Sequence, residues 1–264
     1  MKRNKLNKFL ASICLILLTP IFINAQNNKP KNLPNYDNEP YHYGFIVGYN
    51  QLFFSPTYTE GFQSVLHNMS TLPNLSDYSA EGAIGYNIYG INPGGGHGFT
   101  VGIVGNLRMA KHFDLRLIPS LSFGHRTVNY DINVVYENGE SKLLNPSSKT
   151  DHVCIEIPLH VKCRSKRYNN SAAYIFTGAN YKFDMYSRKN MISQDIPLAV
   201  ITKRHDIAAE VGAGFDFYTG YFKLGVEVKM SYGLIDVAEK DAFMFTNSFD
   251  SLRNKTFQLS FTFE

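Results

Sequence analysis

From Tyr41 onward the chain alternates apolar and polar residues at period two, the spacing that sends successive side chains to opposite faces of an extended strand. Tyr41, Tyr43, Phe45, Val47 and Tyr49 oppose His42, Gly44, Ile46, Gly48 and Asn50. In a second run Phe99, Val101, Ile103, Leu107 and Met109 oppose Thr100, Gly102, Asn106 and Arg108. A third sets Phe113, Leu115, Leu117, Leu121 and Phe123 against Asp114, Arg116, Ser120, Ser122 and Gly124. Val153, Ile155, Ile157, Leu159 and Val161 then oppose His152, Glu156, His160 and Lys162. Ile175, Tyr181, Phe183 and Met185 follow, opposite Asn180, Lys182 and Asp184. Two further runs place Ile207, Val211, Phe215 and Phe217, then Phe222, Leu224, Val226, Val228 and Met230, against Asp206, Glu210, Asp216, Lys223, Glu227 and Lys229. The last sets Phe257, Leu259, Phe261 and Phe263 against Gln258, Ser260, Thr262 and Glu264.

The connections between these eight runs alternate in length. Residues 111–112, 164–170 and 219–220 are short turns, whereas 54–97, 129–150, 187–205 and 235–254 are long. A sandwich does not demand that rhythm. Short turns at one end and long loops at the other are the pattern of an outer-membrane barrel. The expected fold is therefore all-β: an eight-stranded antiparallel up-and-down transmembrane β-barrel with short periplasmic turns and long external loops. Closure requires the last strand to pair with the first, because lipid cannot satisfy an open edge of amides and carbonyls.

Composition narrows the setting. Lys2, Arg3, Lys5 and Lys8 precede an apolar stretch over residues 9–23, and Ala25 offers a small residue before Gln26, so residues 1–25 read as a signal peptide. Residues 26–40 read as a polar, proline-broken periplasmic lead-in and 41–264 as the barrel. The whole chain has 26 Lys and Arg against 22 Asp and Glu; removing the leader's four leaves 22 against 22. That balance gives no electrostatic case for nucleic acid. Past the leader no stretch of about 18 apolar residues exists, so no membrane-crossing helix is expected. With no Trp in the chain, Tyr and Phe must form the interfacial girdles. Cys154 and Cys163 are nine positions apart, which on one strand sends them to opposite faces and keeps them from bridging.

An eight-stranded barrel has an interior about as wide as its side chains. The inward set holds Arg108, Arg116, Glu156, Lys162, Lys182, Glu210, Glu227 and Lys229, and opposite signs there are expected to pair as a polar plug. Neither a nucleophile elbow nor an HExxH spacing occurs, and His152 and His160 are too far apart to share a metal. The expectation is a non-enzymatic protein with no cofactor or metal. The stretch "NPGGGHGF" over residues 92–99 precedes a strand, so it reads as a flexible loop base and not a phosphate cradle. Phe62, Val65, Leu66 and Met69 have helical spacing and suggest a short amphipathic helix over the mouth. "ENGE" at 137–140 predicts a hairpin that lifts the third and fourth runs above the membrane.

Several stretches resemble the PorT family, outer-membrane barrel proteins of the type IX secretion system found in Bacteroidetes. They are "NLPNYDNEPYHYGFIVGYNQ" (32–51), "GFTVGIVGNLRMAKHFDLRLIPSLSFG" (98–124), "IEIPLHVKCRSKRYNN" (155–170), "EVGAGFDFYTGYFKLGVEVKMSYGL" (210–234) and "SLRNKTFQLSFTFE" (251–264). The resemblance implies a part in exporting cargo that carries a C-terminal secretion domain, with other type IX proteins, secreted cargo and outer-membrane lipid as partners. A barrel this narrow implies an accessory or assembly role. Within the resemblance the non-strand segment carrying Asn32, Leu33, Pro34, Tyr36 and Asp37 is the expected partner contact. The alternatives are a small structural or adhesive barrel that binds a surface ligand through its loops, and a barrel enzyme acting on lipid.

Overall fold

The computed structural model describes residues 30–69, 81–185, 202–238 and 248–264. The expected leader and its cleavage after Ala25 lie outside the described residues. Among the described residues eleven strands form one antiparallel sheet: β1 Tyr41–Tyr58, β2 Ala83–Gly94, β3 Gly96–Arg108, β4 Phe113–Leu117, β5 Ser120–Tyr136, β6 Ser141–Leu144, β7 Ser147–Arg164, β8 Ser171–Asp184, β9 His205–Tyr218, β10 Lys223–Gly233 and β11 Phe249–Phe263. β1 pairs with β3 on one side and with β11 on the other, so the sheet closes. Counting β4 and β5 as one stave and setting aside β2 and β6, these eleven strands make eight staves around the wall.

The third run is broken where Pro119 cannot donate to a ladder. The two sides repair the gap: Ile103 N donates to Pro119 O at 3.0 Å and Ile118 N donates to Pro158 O at 3.1 Å. Through the lower wall Tyr43, Phe45, Ile103, Leu159, Val211 and Leu259 point outward and are exposed, while Asn50, Arg116, Glu156, Lys162, Glu210 and Thr262 are buried inside. This is the polarity of a protein whose outer solvent is hydrocarbon. A small apolar contact of Ile46, Val104 and Ile118 interrupts the polar interior. Cys154 is buried on the inward face and Cys163 lies half-buried on the other, and neither is bridged.

The expected loops 54–97, 129–150 and 235–254 contain strand, the last because β11 begins at Phe249. The connection over 54–97 begins with the end of β1 and includes β2, which pairs with β5 from Gly94↔Thr127 up to Ala83↔Tyr136. The "NPGGGHGF" stretch is accordingly the junction of β2 and β3 and not a loop base. Gly96 is required there, since a Cβ would lie 1.6 Å from the His125 carbonyl oxygen. The Asn138–Gly139 turn closes the β5–β6 hairpin as the sequence predicts, with Gly139 at φ 78° and its N–H donating to Tyr136 O at 3.0 Å.

Above the wall the interior reverses character. Phe54, Tyr86, Ile88, Ile91, Val128, Tyr130, Ile132, Val134, Leu144, Phe249 and Leu252 form one buried apolar cluster. On β5 polar side chains now turn outward, Asn129 and Asp131 among them. The helix expected around residue 62 is only a 3-10 turn, Phe62–Ser64. Phe62 and Met69 pack on the apolar cluster, whereas Val65 and Leu66 are exposed. Gly61 at φ 75° starts that turn, and the extended backbone of Val65 ends it, which cuts the helical spacing short.

Candidate functional site

Two tiers of charge fill the barrel. In the tier nearer the short turns Arg116 donates to Glu227 at 3.0 Å and lies 3.9 Å from Glu264. Glu227 also accepts from the Tyr174 hydroxyl at 3.0 Å, Lys162 pairs with Asp216 at 2.8 Å, and Lys223 with Glu264 at 2.7 Å. In the next tier Glu210 lies 2.6 Å from His160 Nε2 and 3.1 Å from Lys229 Nζ. Asn180 donates to both Glu210 and Glu156 at 2.9 Å, and Lys182 stands 3.9 Å from Glu156. Such pairing is a condition for keeping charge out of water more than a source of stability, because desolvation offsets most of the attraction. Arg116, Glu156, Lys162, Glu210, Glu227 and Lys229 all belong to these tiers. Arg108 does not: it is half-buried at the rim and donates to the carbonyl oxygen of Asp37.

The segment with Asn32, Leu33, Pro34, Tyr36 and Asp37 lies across the same end of the barrel. Its 3-10 turn, Tyr36–Asn38, brings Asp37 to Arg164, which donates to Oδ1 at 2.6 Å, and to Tyr218, whose hydroxyl donates to the same oxygen at 3.0 Å. Arg167 lies 3.8 Å from Asp37 Oδ2 and donates to the carbonyl oxygens of Asn32 and Leu33. Asn32 N donates to Asn170 Oδ1 at 3.0 Å and its Nδ2 donates to Tyr218 O at 3.0 Å. Tyr36 stacks on His42 with ring centroids 3.8 Å apart and donates to Glu264 Oε2 at 3.2 Å. Burial, reinforced by the Glu264 carboxylate, pushes the Tyr36 phenol well above its ordinary range, so it stays a donor. Asn32, Leu33, Tyr36 and Asp37 are half-buried in this cap, and Pro34 is exposed on its outer edge.

The sequence singled out this segment as a lead-in and partner contact but did not reveal its socket of Arg164, Arg167, Asn170, Tyr218, Lys223 and Glu264. The signal was charge complementarity between Asp37 and the basic turn "CRSKRYNN". It also missed a donor cluster at the far end of the lumen. There ligand atoms of His152, Cys154 and Glu156 lie within 4.8 Å of one another, since alternate residues of β7 share its inward face. Cations already engage the outer two, Arg126 at 3.2 Å from His152 Nδ1 and Lys182 at 3.9 Å from Glu156, so a metal ion would have to displace both. Among the described residues, the lumen serines Ser122 and Ser260 bond Asn50 and Glu227 and not a histidine: Ser122 accepts from Asn50 and Ser260 donates to Glu227.

The chain is similar to several solved outer-membrane proteins. Ail of Yersinia pestis, in complex with the heparin analogue sucrose octasulfate, is 12% identical, with a TM-score of 0.33 over 85% of this chain and 98% of Ail. OprG of Pseudomonas aeruginosa is 10% identical, with a TM-score of 0.35 over 83% of this chain and 92% of OprG. The outer membrane protease OmpT of Escherichia coli is 9% identical, with a TM-score of 0.28 over 85% of this chain and 94% of OmpT. These likenesses are too distant to assign a role. Among curated proteins none matches. The sequence profile of the outer membrane protein beta-barrel domain does match, over residues 24–239. A closed antiparallel wall, apolar outside and charged within, fits that profile, and the chain belongs to the outer membrane protein beta-barrel domain family.

Proposed function

We propose that this outer-membrane barrel serves type IX protein secretion as an accessory or assembly component, needed for export of cargo with C-terminal secretion domains. The observation that carries the reading is where the PorT-like segments meet. Asp37 comes from the first, Arg164, Arg167 and Asn170 from the third, Tyr218 and Lys223 from the fourth, and Glu264 from the last, and all join at the capped mouth. With paired charges filling the lumen behind that cap, the barrel is not a conduit for cargo. It offers a fixed periplasmic surface instead, whose outer edge runs through Pro34. On this reading a leader is removed near Ala25–Gln26, residues 26–40 are lead-in and cap, residues 41–264 are the barrel, and Asn32, Leu33, Pro34, Tyr36 and Asp37 are the contact for other secretion proteins.

A clean deletion tests this, with immunoblots of periplasm and medium for cargo bearing the secretion domain. Cargo trapped in the periplasm and released by a wild-type copy is the expected result, and unchanged export removes the proposal. A second reading rests on the apolar-cored head, which could hold external loops rigid enough to bind a surface ligand. Deletion would then leave export intact and reduce attachment of cells to the ligand-bearing surface.

A further inference from the structure

Two cations on the outer wall stand apart from every charge described above. Arg253 and Lys255 occupy alternate outward positions of β11, immediately above Phe257, Leu259 and Phe261, which face lipid. Among the described residues neither has a carboxylate within 4.0 Å. By contrast Arg116, Lys162, Lys182, Lys223 and Lys229 in the lumen are all ion-paired. Aromatic rings form a floor beneath the two: Arg253 Cζ lies 5.9 Å from the Tyr232 ring, and Lys255 Nζ lies 5.2 Å from the Phe257 ring. In register Lys255 sits between Phe53 on β1 and Tyr232 on β10. Two residues along a strand separate the cations by roughly 7 Å.

The height of this pair on the wall decides what covers it. The same β11 switches its interior from Leu252 to Asn254, Thr256 and Gln258, so the boundary between head and hydrocarbon crosses the strand at this level. A cation there lies among lipid headgroups, with its alkyl stem along the apolar wall and its charge turned toward water. We infer that Arg253 and Lys255 form a docking site for a phosphorylated outer-leaflet glycolipid, whose phosphate bridges the two cations while its acyl chains lie on Phe257, Leu259 and Phe261. The site serves barrel anchoring and tilt, and it holds whatever the export role of the protein.

The test uses the full-length protein, delipidated in detergent. Diphosphorylated lipid A, its dephosphorylated form and inorganic phosphate are titrated in turn, and lipid retention is read by native mass spectrometry. The diphosphorylated lipid binds wild type. The double variant R253Q/K255Q loses roughly tenfold or more in affinity while still showing the heat-dependent gel mobility of a folded barrel. The matching pair on the periplasmic turns, K111Q/K166Q, binds as wild type. Equal binding by the double variant, equal binding of the dephosphorylated lipid, or displacement by millimolar inorganic phosphate would each overturn the proposal.

Discussion

Along β5 the chain turns Leu121 outward with Ser120 and Ser122 inside, then further along turns Asn129 and Asp131 outward with Val128, Tyr130 and Ile132 inside. One strand thus serves two solvents. In the wall, hydrocarbon surrounds the barrel and the polar side chains retreat inward, where they must find partners. In the head, water surrounds the same ladder and the apolar side chains retreat. β11 makes the same switch between Leu252 and Gln258. The lesson is that period two fixes only which residues share a face, while the surrounding medium decides which face is buried.

Variants that violate one half and spare the other sharpen that contrast. The largest effect is expected inside the wall. Glu227→Ala leaves Arg116 with only the more distant Glu264 carboxylate at 3.9 Å and should destabilise the barrel by about 3–5 kcal/mol, measured by thermal unfolding in detergent. Replacing both partners, Arg116→Met with Glu227→Leu, should recover most of that loss, and failure to recover would mean that the pair has a role beyond mutual neutralisation. In the head Ile132→Ala removes buried methyl groups at a cost of about 2–5 kcal/mol. The damage should stay local, with protease cutting the head while the wall keeps its folded gel mobility.

Lipid-facing positions come next. Ile103→Arg, level with Phe45 in the middle of the apolar band, should cost about 2–4 kcal/mol in bilayers. Loosening the cap is milder: Asp37→Ala removes acceptors from Arg164 and Tyr218 and should cost about 1–2 kcal/mol, because the site is part-exposed. Hydrogen exchange should then accelerate over residues 32–38 alone. The smallest effect is expected for Asn133→Arg on the head's outer face, within about 0.5 kcal/mol. A cost for Asn133→Arg comparable to that of Ile103→Arg would show that lipid reaches the head and would erase the boundary between the two regions.

The barrel was legible because its alternation is strong wherever lipid touches it: Phe257 to Phe263 reads outward without exception. β2 was not, although Ile84, Tyr86 and Ile88 also alternate. Two bulges break its faces, so that Ile84 and Tyr89 are exposed while Tyr86, Ile88 and Ile91 are buried, and beside a long connection that pattern has no membrane signature to mark it. The cap was visible as a polar, proline-broken segment, and its docking was not. Asp37 and Arg164 are 127 positions apart in the chain, and only barrel closure brings them within 2.6 Å.

By itself the sequence determined the two faces of every stave, the rhythm of short and long connections, and the closure of the last run on the first, because these depend on local spacing and on backbone groups that lipid cannot satisfy. Tertiary structure alone decided which lumen charges pair, where the wall becomes a head, and that the lead-in seals the mouth. Those outcomes depend on stagger between staves, a quantity set jointly by every ladder in the closed sheet and written in none of them singly.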